Sequence, residues 1–363
     1  MKQTVESGKT LLVDGPASVT VLTGTVEIFG FPVKISGRIV IREGKRLPFI
    51  VTNTAEFDVL LGENARIEEV EGSTIPHSWD ESANTLLSFD DKPITALILG
   101  KSDSGKTSFC TYLINKLLSE KNNVAILDGD LGQADVGPPC SIAYTIVSKP
   151  ITDLFTLKAE NAFFVGCTSP SEAVDKTLNG FKAMLQEIQC KKCDFTIVNT
   201  DGWIDGEEAV NYKSRLAEII NPDIIFYVQQ NDELTPLADA IEKFRGITVE
   251  SPVVVRQRSR EKRKTLRELG YAKYLANAKI RTWPLKLLQA EKQDTVQTAQ
   301  SAERALLGLY DLQEKFLGIG VLHKFDSVRN TLKVFTPVSA KTAKIIIGKV
   351  RLDGNLKEFN MPF

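Results

Sequence analysis

The stretch Thr95 to Thr107, TALILGKSDSGKT, runs from apolar residues into Gly100-Lys101-Ser102-Asp103-Ser104-Gly105-Lys106-Thr107. In such a stretch the glycines let backbone N–H groups turn inward around phosphate oxygens, Lys106 supplies a cation for β- and γ-phosphates, and the Thr107 hydroxyl suits Mg²⁺. This is the Walker A pattern of a nucleotide phosphate loop. Leu97, Ile98 and Leu99 read as a buried strand before the loop, and Phe109, Leu113, Ile114, Leu117 and Leu118 recur at helical spacing after it. A helix N-terminus therefore faces the phosphates with its unpaired N–H groups and its dipole. The competing reading is a glycine-rich turn that binds nothing.

A second strand, Val124 to Leu127, delivers Asp128-Gly129-Asp130-Leu131-Gly132-Gln133 at its C-terminal end, the edge where open α/β sheets build their sites. Side chains alternate along an extended backbone, so Asp128 and Asp130 are expected on one side, near Mg²⁺ and the attacking group. One carboxylate would hold the metal through water while the other accepts a proton from a hydroxyl nucleophile; the plainer reading is an acidic loop after a core strand. Trp203 follows the buried strand Phe195 to Val198. A tryptophan there can stack on a nucleobase of any sequence, or be a core residue beneath the site. The run Arg256 to Arg267 holds seven basic residues and one acid. As a helix it puts Arg260, Arg263, Lys264 and Arg267 on one face, resembling the lid of nucleotide kinases, with a solvated or backbone-contacting helix as the alternative.

These residues need a scaffold, and the rest of the chain supplies the pattern of one. From Ser18 to about Glu71 apolar and polar residues alternate between glycine-containing breaks, which predicts a small antiparallel β-domain of sandwich or barrel type. Residues 72–93 read as a polar linker with one helical turn. Strands at 95–100, 124–128, 162–166, 195–199 and 223–228 then alternate with helices at 105–120, 171–190 and 207–219, the order of a mainly parallel sheet covered on both faces. From Leu317 the pattern returns to strands. The expected fold is α/β, with an N-terminal β-domain (1–75), a linker (76–92), a central P-loop domain (93–312) with its lid at about 256–275, and a C-terminal β-domain (313–363).

Composition narrows the class. The chain has 363 residues, 45 basic and 46 acidic, and a net charge of −1, so any nucleic-acid contact is local rather than spread over the surface. No signal-like opening and no run of about 20 apolar residues is visible, which predicts a soluble, cytoplasmic protein. The five cysteines are scattered in apolar surroundings and read as reduced thiols, and Cys190-Lys-Lys-Cys193 lacks the second pair that a zinc site needs. His77 and His323 are the only histidines, neither near the phosphate loop in sequence.

Four blocks taken in order are more specific than the loop alone. After Lys106-Thr107 come Asp130-x-Gly132-Gln133 with Gly137-Pro138-Pro139, Phe164-x-Gly166-x-Thr168-Ser169-Pro170, and Asn199-Thr200-x-Gly202-Trp203-Ile204. Together they resemble the signatures of the polynucleotide 5′-hydroxyl kinases, a family that includes the kinase subunit of eukaryotic pre-mRNA cleavage and tRNA-splicing complexes, pre-rRNA-processing kinases and compact archaeal members. The resemblance extends to Leu22-Thr23-Gly24 and Glu27-Ile28-Phe29-Gly30 at one end and to Thr336-Pro337 and Gly348 at the other. It implies that Gly100, Lys101, Ser102, Asp103, Ser104 and Gly105, with Lys106 and Thr107, hold ATP and Mg²⁺. It also makes Asp130 the base for the RNA 5′-hydroxyl, with Asp128 as a secondary metal-side carboxylate. Gln133 orients the acceptor end or the metal shell, Thr168 belongs to a clasp on the first internucleotide phosphate, and Trp203 is the platform for the terminal base. Arg258 and Arg263 match the lid arginines best, and Glu6 and Arg46 fall near the nucleotide pocket. The implied acceptors are single-stranded or end-accessible RNA, with DNA as a second candidate, and protein partners in RNA processing are compatible with it.

Two rivals belong beside this reading. Lys101 precedes Lys106 by five residues, as in deviant Walker A switches that act as dimers, although Ser102 and Asp103 stand where those loops carry glycines. An ATP-holding scaffold with little turnover is the other; retention of Lys106, Thr107, Asp130, Gln133 and Trp203 favours catalysis.

Overall fold

The computed structural model describes residues 1–254, 257–289 and 295–359. Alternating residues near the N-terminus form β1 (Lys2–Val5), β2 (Lys9–Asp14), β3 (Ala17–Ile28), β4 (Phe31–Pro32), β5 (Arg38–Ile41), β6 (Arg46–Leu61) and β7 (Ile67–Glu71). They pair antiparallel in the order β4-β3-β6-β2-β7, with β1 on β6 and β5 on β3. The long β6 fixes the register, with Leu47, Phe49, Val51, Ala55, Phe57 and Val59 buried.

The segment expected to be a linker is instead integral to the core. Residues His77–Leu87 form α1, and its Trp79 is fully buried, packs on Phe109 and Tyr112, and donates Nε1–H to the Glu250 carbonyl at 3.0 Å. Its polar sequence conceals this, because only Trp79, Ser82, Ala83 and Leu86 face inward, one stripe on an otherwise hydrophilic helix.

The central sheet contains β8 (Ile94–Gly100), β9 (Val124–Gly129), β10 (Ser141–Val147), β11 (Asn161–Phe164), β12 (Phe195–Thr200), β13 (Ile224–Gln229) and β14 (Gly246–Glu250), in the order β11-β10-β9-β12-β8-β13-β14. The pairs from β9 through β14 are parallel, whereas β10 lies antiparallel to both β9 and β11. Neither β10 nor β14 is evident in the pattern: β10 is an unalternating apolar run straight after Gly137-Pro138-Pro139, and β14 is a short edge strand. One face of the sheet is covered by α1 and α2 (Lys106–Ser119), the other by α3 (Val174–Gln189), α4 (Glu207–Ile220) and α5 (Thr235–Ala240). The core on the α2 face runs without a break into the N-terminal sheet through Phe29, Phe109 and Ile151. The two sheets therefore share one interior.

The basic segment folds as α6 (Arg260–Tyr274), capped by the Ser259 side chain, which accepts from Lys262 N–H at 3.1 Å. Arg258 precedes the helix, and Arg256 lies outside the described residues. A third sheet comprises β15 (Lys279–Pro284), β16 (Leu288–Gln289), β17 (Ala305–Tyr310), β18 (Phe316–Asp326), β19 (Thr331–Thr336) and β20 (Lys344–Arg351), with α7 (Thr295–Ser301) beside it. Three of these strands precede residue 313, where the pattern places the start of the C-terminal unit. Leu306, Leu307 and Leu309 are buried at the middle of that sheet, so β17 is too uniformly apolar to alternate.

Candidate active site

A cavity of about 810 Å³ opens where the C-terminal ends of β8, β9 and β12 meet the N-terminal sheet and α6. Its walls include Ser102 to Thr107, Asp130, Gln133, Thr168, Asp201, Trp203, Arg258, Arg263 and Arg46. The phosphate loop turns into α2 through Gly105, whose φ of 95° is left-handed and suits glycine. Gly202 is required for another reason: a Cβ there would sit 2.3 Å from Ser102 N, so only glycine lets the β12 turn lie against the loop.

Lys106 is 5% exposed and its Nζ donates to the Gly100 and Lys101 carbonyls at 2.8 and 2.7 Å. Burial pulls its pKa down to about 8, opposed by the nearby Asp130 carboxylate. The buried Ser104 hydroxyl oxygen has no hydrogen-bond partner among the described residues. An orphaned polar atom inside the loop, the N-terminus of a 14-residue helix and a buried lysine suit a bound phosphate. Thr107 also lines the cavity. These donors fit a nucleotide triphosphate with its metal.

The two carboxylates are not equivalent, and the expected pairing of Asp128 with Asp130 is corrected. Asp128 Oδ1 accepts from Asn199 Nδ2 at 3.0 Å, and Oδ2 from the backbone N–H groups of Asp135 and Val136 at 2.8 and 3.1 Å. It is 1% exposed and does not line the cavity. Burial pushes its pKa up to about 7. The alternation that would align the two side chains fails because β9 ends at Gly129 and the chain turns. Asp130 does line the cavity; its Oδ1 accepts from Gly132 N–H and Gln133 N–H at 3.1 and 3.0 Å, while Oδ2 takes no hydrogen bond among the described residues. Desolvation pushes the Asp130 pKa up to about 6, the Lys106 ammonium pulling against it.

Arg258 and Arg263 converge on one phosphate-loop residue. Asp103 Oδ2 accepts from Arg258 N–H at 2.9 Å and from Arg263 at 2.8 Å, and Oδ1 lies 3.5 Å from the Arg258 guanidinium. Gln133 Nε2 donates to the Arg263 carbonyl at 3.1 Å. From the N-terminal sheet, the Gly44 carbonyl accepts from Arg258 at 3.2 Å and Glu43 pairs with Lys262 at 2.6 Å. Asp103 thus fastens the lid to the loop it covers. Asp103→Asn removes both charge pairs, and faster tryptic cleavage within 258–264 is expected, because proteolysis follows the open population. Cleavage at the wild-type rate would show that the contacts do not hold the lid.

Other sequence-predicted residues divide clearly. Thr168 and Gln133 face the same cavity, and Trp203 is half-buried at its wall. The loop carrying Thr168 is pinned by the third sheet, where Lys349 N–H donates to the Gly166 carbonyl at 2.6 Å and a Cβ on Gly166 would meet Gly348 at 2.9 Å. Arg46 lines the cavity but is engaged by Asp14 at 2.7 Å and Glu68 at 3.1 Å. Glu6 does not reach the cavity; its exposed carboxylate lies 3.4 Å from Lys9. It occupies the turn between β1 and β2, where no motif fixes a nearby sequence position in space. Gly100 contributes its carbonyl to Lys106, whereas the Lys101 side chain is 55% exposed and 3.8 Å from Asp205. Sequence reasoning passed over Asp201, Tyr212 and Lys213. The signal available was an acid directly before Gly202-Trp203 and a lysine on the apolar face of a helix.

Fold and site together define a P-loop nucleotide-binding protein with a basic helix beside the loop. Residues 100–277 match the family described as the P-loop domain of mRNA cleavage and polyadenylation factor CLP1. The polyribonucleotide 5′-hydroxyl-kinase of Methanocaldococcus jannaschii is 28% identical over 327 residues, covering 74% of this chain and 90% of that protein. The one from Pyrococcus horikoshii is 34% identical over 194 residues, covering 53% and 52%. The fold of this chain is also that of a solved Clp1p chain in complex with Pcf11p, with a TM-score of 0.77 over 97% of both chains at 15% identity. These matches support membership of the polynucleotide 5′-hydroxyl kinase family. Among the described residues no helix is long and apolar enough to cross a membrane.

Proposed function

We propose that this protein transfers the γ-phosphoryl group of ATP to the 5′-hydroxyl end of RNA, with DNA as a second acceptor. The observation that carries the reading is the convergence, in one cavity, of the phosphate loop, a carboxylate with one uncommitted oxygen, two lid arginines and a half-buried tryptophan. The names of relatives support it: several are polyribonucleotide 5′-hydroxyl-kinases.

In this reading Asp130 Oδ2 accepts the proton of the attacking 5′-hydroxyl, Oδ1 remaining held by the Gly132 and Gln133 amides. Lys106 exchanges its two loop carbonyls for phosphate oxygens, and Arg258 and Arg263 lie close enough to the loop to offset charge on the transferring group. Thr107 and Asp130 are the residues that would hold Mg²⁺, which supplies positive charge at the phosphate oxygens. Asp128, consumed by amides, holds the loop that carries Asp130. Thr168 grips the first internucleotide phosphate and Trp203 the terminal base, so acceptor choice is set by stacking and backbone contact rather than by base edges. Residues 1–75 close one side of the nucleotide pocket, and residues 313–363 buttress the loop at Gly166.

The test compares transfer of labelled γ-phosphate from ATP to an RNA oligomer bearing a 5′-hydroxyl, to the same oligomer bearing a 5′-phosphate, and to the matching DNA. Label is expected on the 5′-hydroxyl RNA and not on the blocked oligomer. Equal labelling of the blocked oligomer would refute a 5′-hydroxyl acceptor.

A further inference from the structure

Beneath Trp203 lies a polar cluster that the transfer chemistry does not use. Lys213, on α4, is fully buried, and its Nζ donates to the Asp201 carbonyl at 3.0 Å and to Asp201 Oδ2 at 2.9 Å. Tyr212 OH donates to the same Oδ2 at 3.0 Å. Asp201 Oδ1 accepts from the Trp203 backbone N–H at 2.9 Å. The rings of Tyr212 and Trp203 are stacked, 5.5 Å between centroids and 21° between planes. Burying an ammonium and a carboxylate together is weak evidence for stability, since well-packed apolar side chains often do as well. Its consequence here is geometric. One carboxylate fixes the backbone of Trp203 on one side and the ring beneath it on the other.

We propose that Asp201, Tyr212 and Lys213 are positioning residues that set the Trp203 indole as a one-faced platform before the acceptor arrives. The inference rests on the reading above that Trp203 carries the terminal base. Tyr212 covers one face of the indole, leaving the cavity side for a single nucleobase, and the Asp201 bonds hold Tyr212 and the Gly202-Trp203 turn in register. A platform already ordered loses less conformational freedom on binding, so the benefit falls on acceptor affinity. Burial also keeps the Tyr212 hydroxyl protonated by raising its pKa well above the ordinary value, so it remains a donor to Asp201. Lys213 neutralises the carboxylate that holds both.

The test uses the full chain with ATP and a mixed-sequence 5′-hydroxyl RNA, comparing wild type, Trp203→Ala, Tyr212→Leu, Tyr212→Phe and the double variant Trp203→Ala/Tyr212→Leu. Tyr212→Leu should raise the acceptor KM by about five- to tenfold while the ATP KM stays within about twofold. Tyr212→Phe, which keeps the ring, should recover most of that loss. In the Trp203→Ala background Tyr212→Leu should add nothing, because support without a platform has no effect. Equal rises of both KM values, or a full additional loss in the double variant, would overturn the positioning role and leave a structural one. If Trp203→Ala itself left the acceptor KM unchanged, the stacking reading beneath the inference would be the part that fails.

Discussion

Lys106→Ala is expected to lower kcat/KM for phosphoryl transfer by at least about 10²–10³-fold, the loss seen when one preorganised donor to a developing charge is deleted. The residue is buried at the centre of the phosphate loop, and its neighbours show what it is held for. Its ammonium rests on two loop carbonyls beside an unpartnered Ser104 hydroxyl, groups that a phosphate oxygen would reorganise at once. Removing a lysine whose charged form is already disfavoured by burial should cost the fold little. A melting curve close to wild type with transfer lost is therefore the combination to look for. Transfer within a few-fold of wild type would exclude the loop as the phosphate site.

Asp130→Asn should be nearly as severe, lowering kcat by about 10²–10⁴-fold. An asparagine oxygen can still accept from the Gly132 and Gln133 amides, so the turn is preserved while the proton-accepting oxygen is replaced by a donor. The wild-type pH profile gives an independent check. Asp130 must be ionised to accept a proton, and its pKa is pushed up to about 6, so kcat/KM, which reports the free enzyme, should fall as pH drops through about 6. Lys106 must be charged, and its pKa is pulled down to about 8, so kcat/KM should fall again as pH rises through about 8. The two groups attract one another, so the limbs belong to the pair rather than to either residue. In Asp130→Asn the acidic limb should vanish; its persistence would assign it to another group.

Legibility in the sequence followed the locality of the physics. The phosphate loop and the β9 carboxylates lie where strand, turn and helix succeed one another within a few residues, and Lys106, Asp130, Gln133, Thr168, Trp203, Arg258 and Arg263 do line one cavity. The central sheet's inner parallel strands and the helices α2, α3 and α4 were equally readable, since those helices carry apolar stripes, whereas β10, β14 and α5 were not. What escaped depends on contacts distant in sequence. Asp128 and Asp130 differ because Asn199 and the Asp135 and Val136 amides claim one and not the other. The stripe of α1 is visible only once Phe109, Tyr112 and the Glu250 carbonyl surround Trp79. Strands β15 and β17 lack the alternation that marks a sheet with one wet face. Lys213, on the apolar face of α4, finds its partner only because the fold brings Asp201 at the end of β12 over it.

Lid and C-terminal segment also meet in a way that no motif announces. Arg267 pairs with Glu358 through two bonds of 2.6 and 2.7 Å, and Tyr271 OH donates to the same carboxylate at 2.8 Å. The lid helix is therefore held at its middle by the end of the described chain and near its start by Asp103. Its arginines sit over the loop on a braced element rather than on a free arm.

The most direct test of the central claim is a single-turnover reaction of enzyme with γ-labelled ATP and 5′-hydroxyl RNA, partitioning the label between RNA and inorganic phosphate. The account predicts label at the RNA 5′ terminus, recovered there after digestion to nucleotides and absent with Asp130→Asn. Label released as inorganic phosphate, or retained in bound ATP with none in RNA, would contradict it and make the protein a nucleotide switch or scaffold.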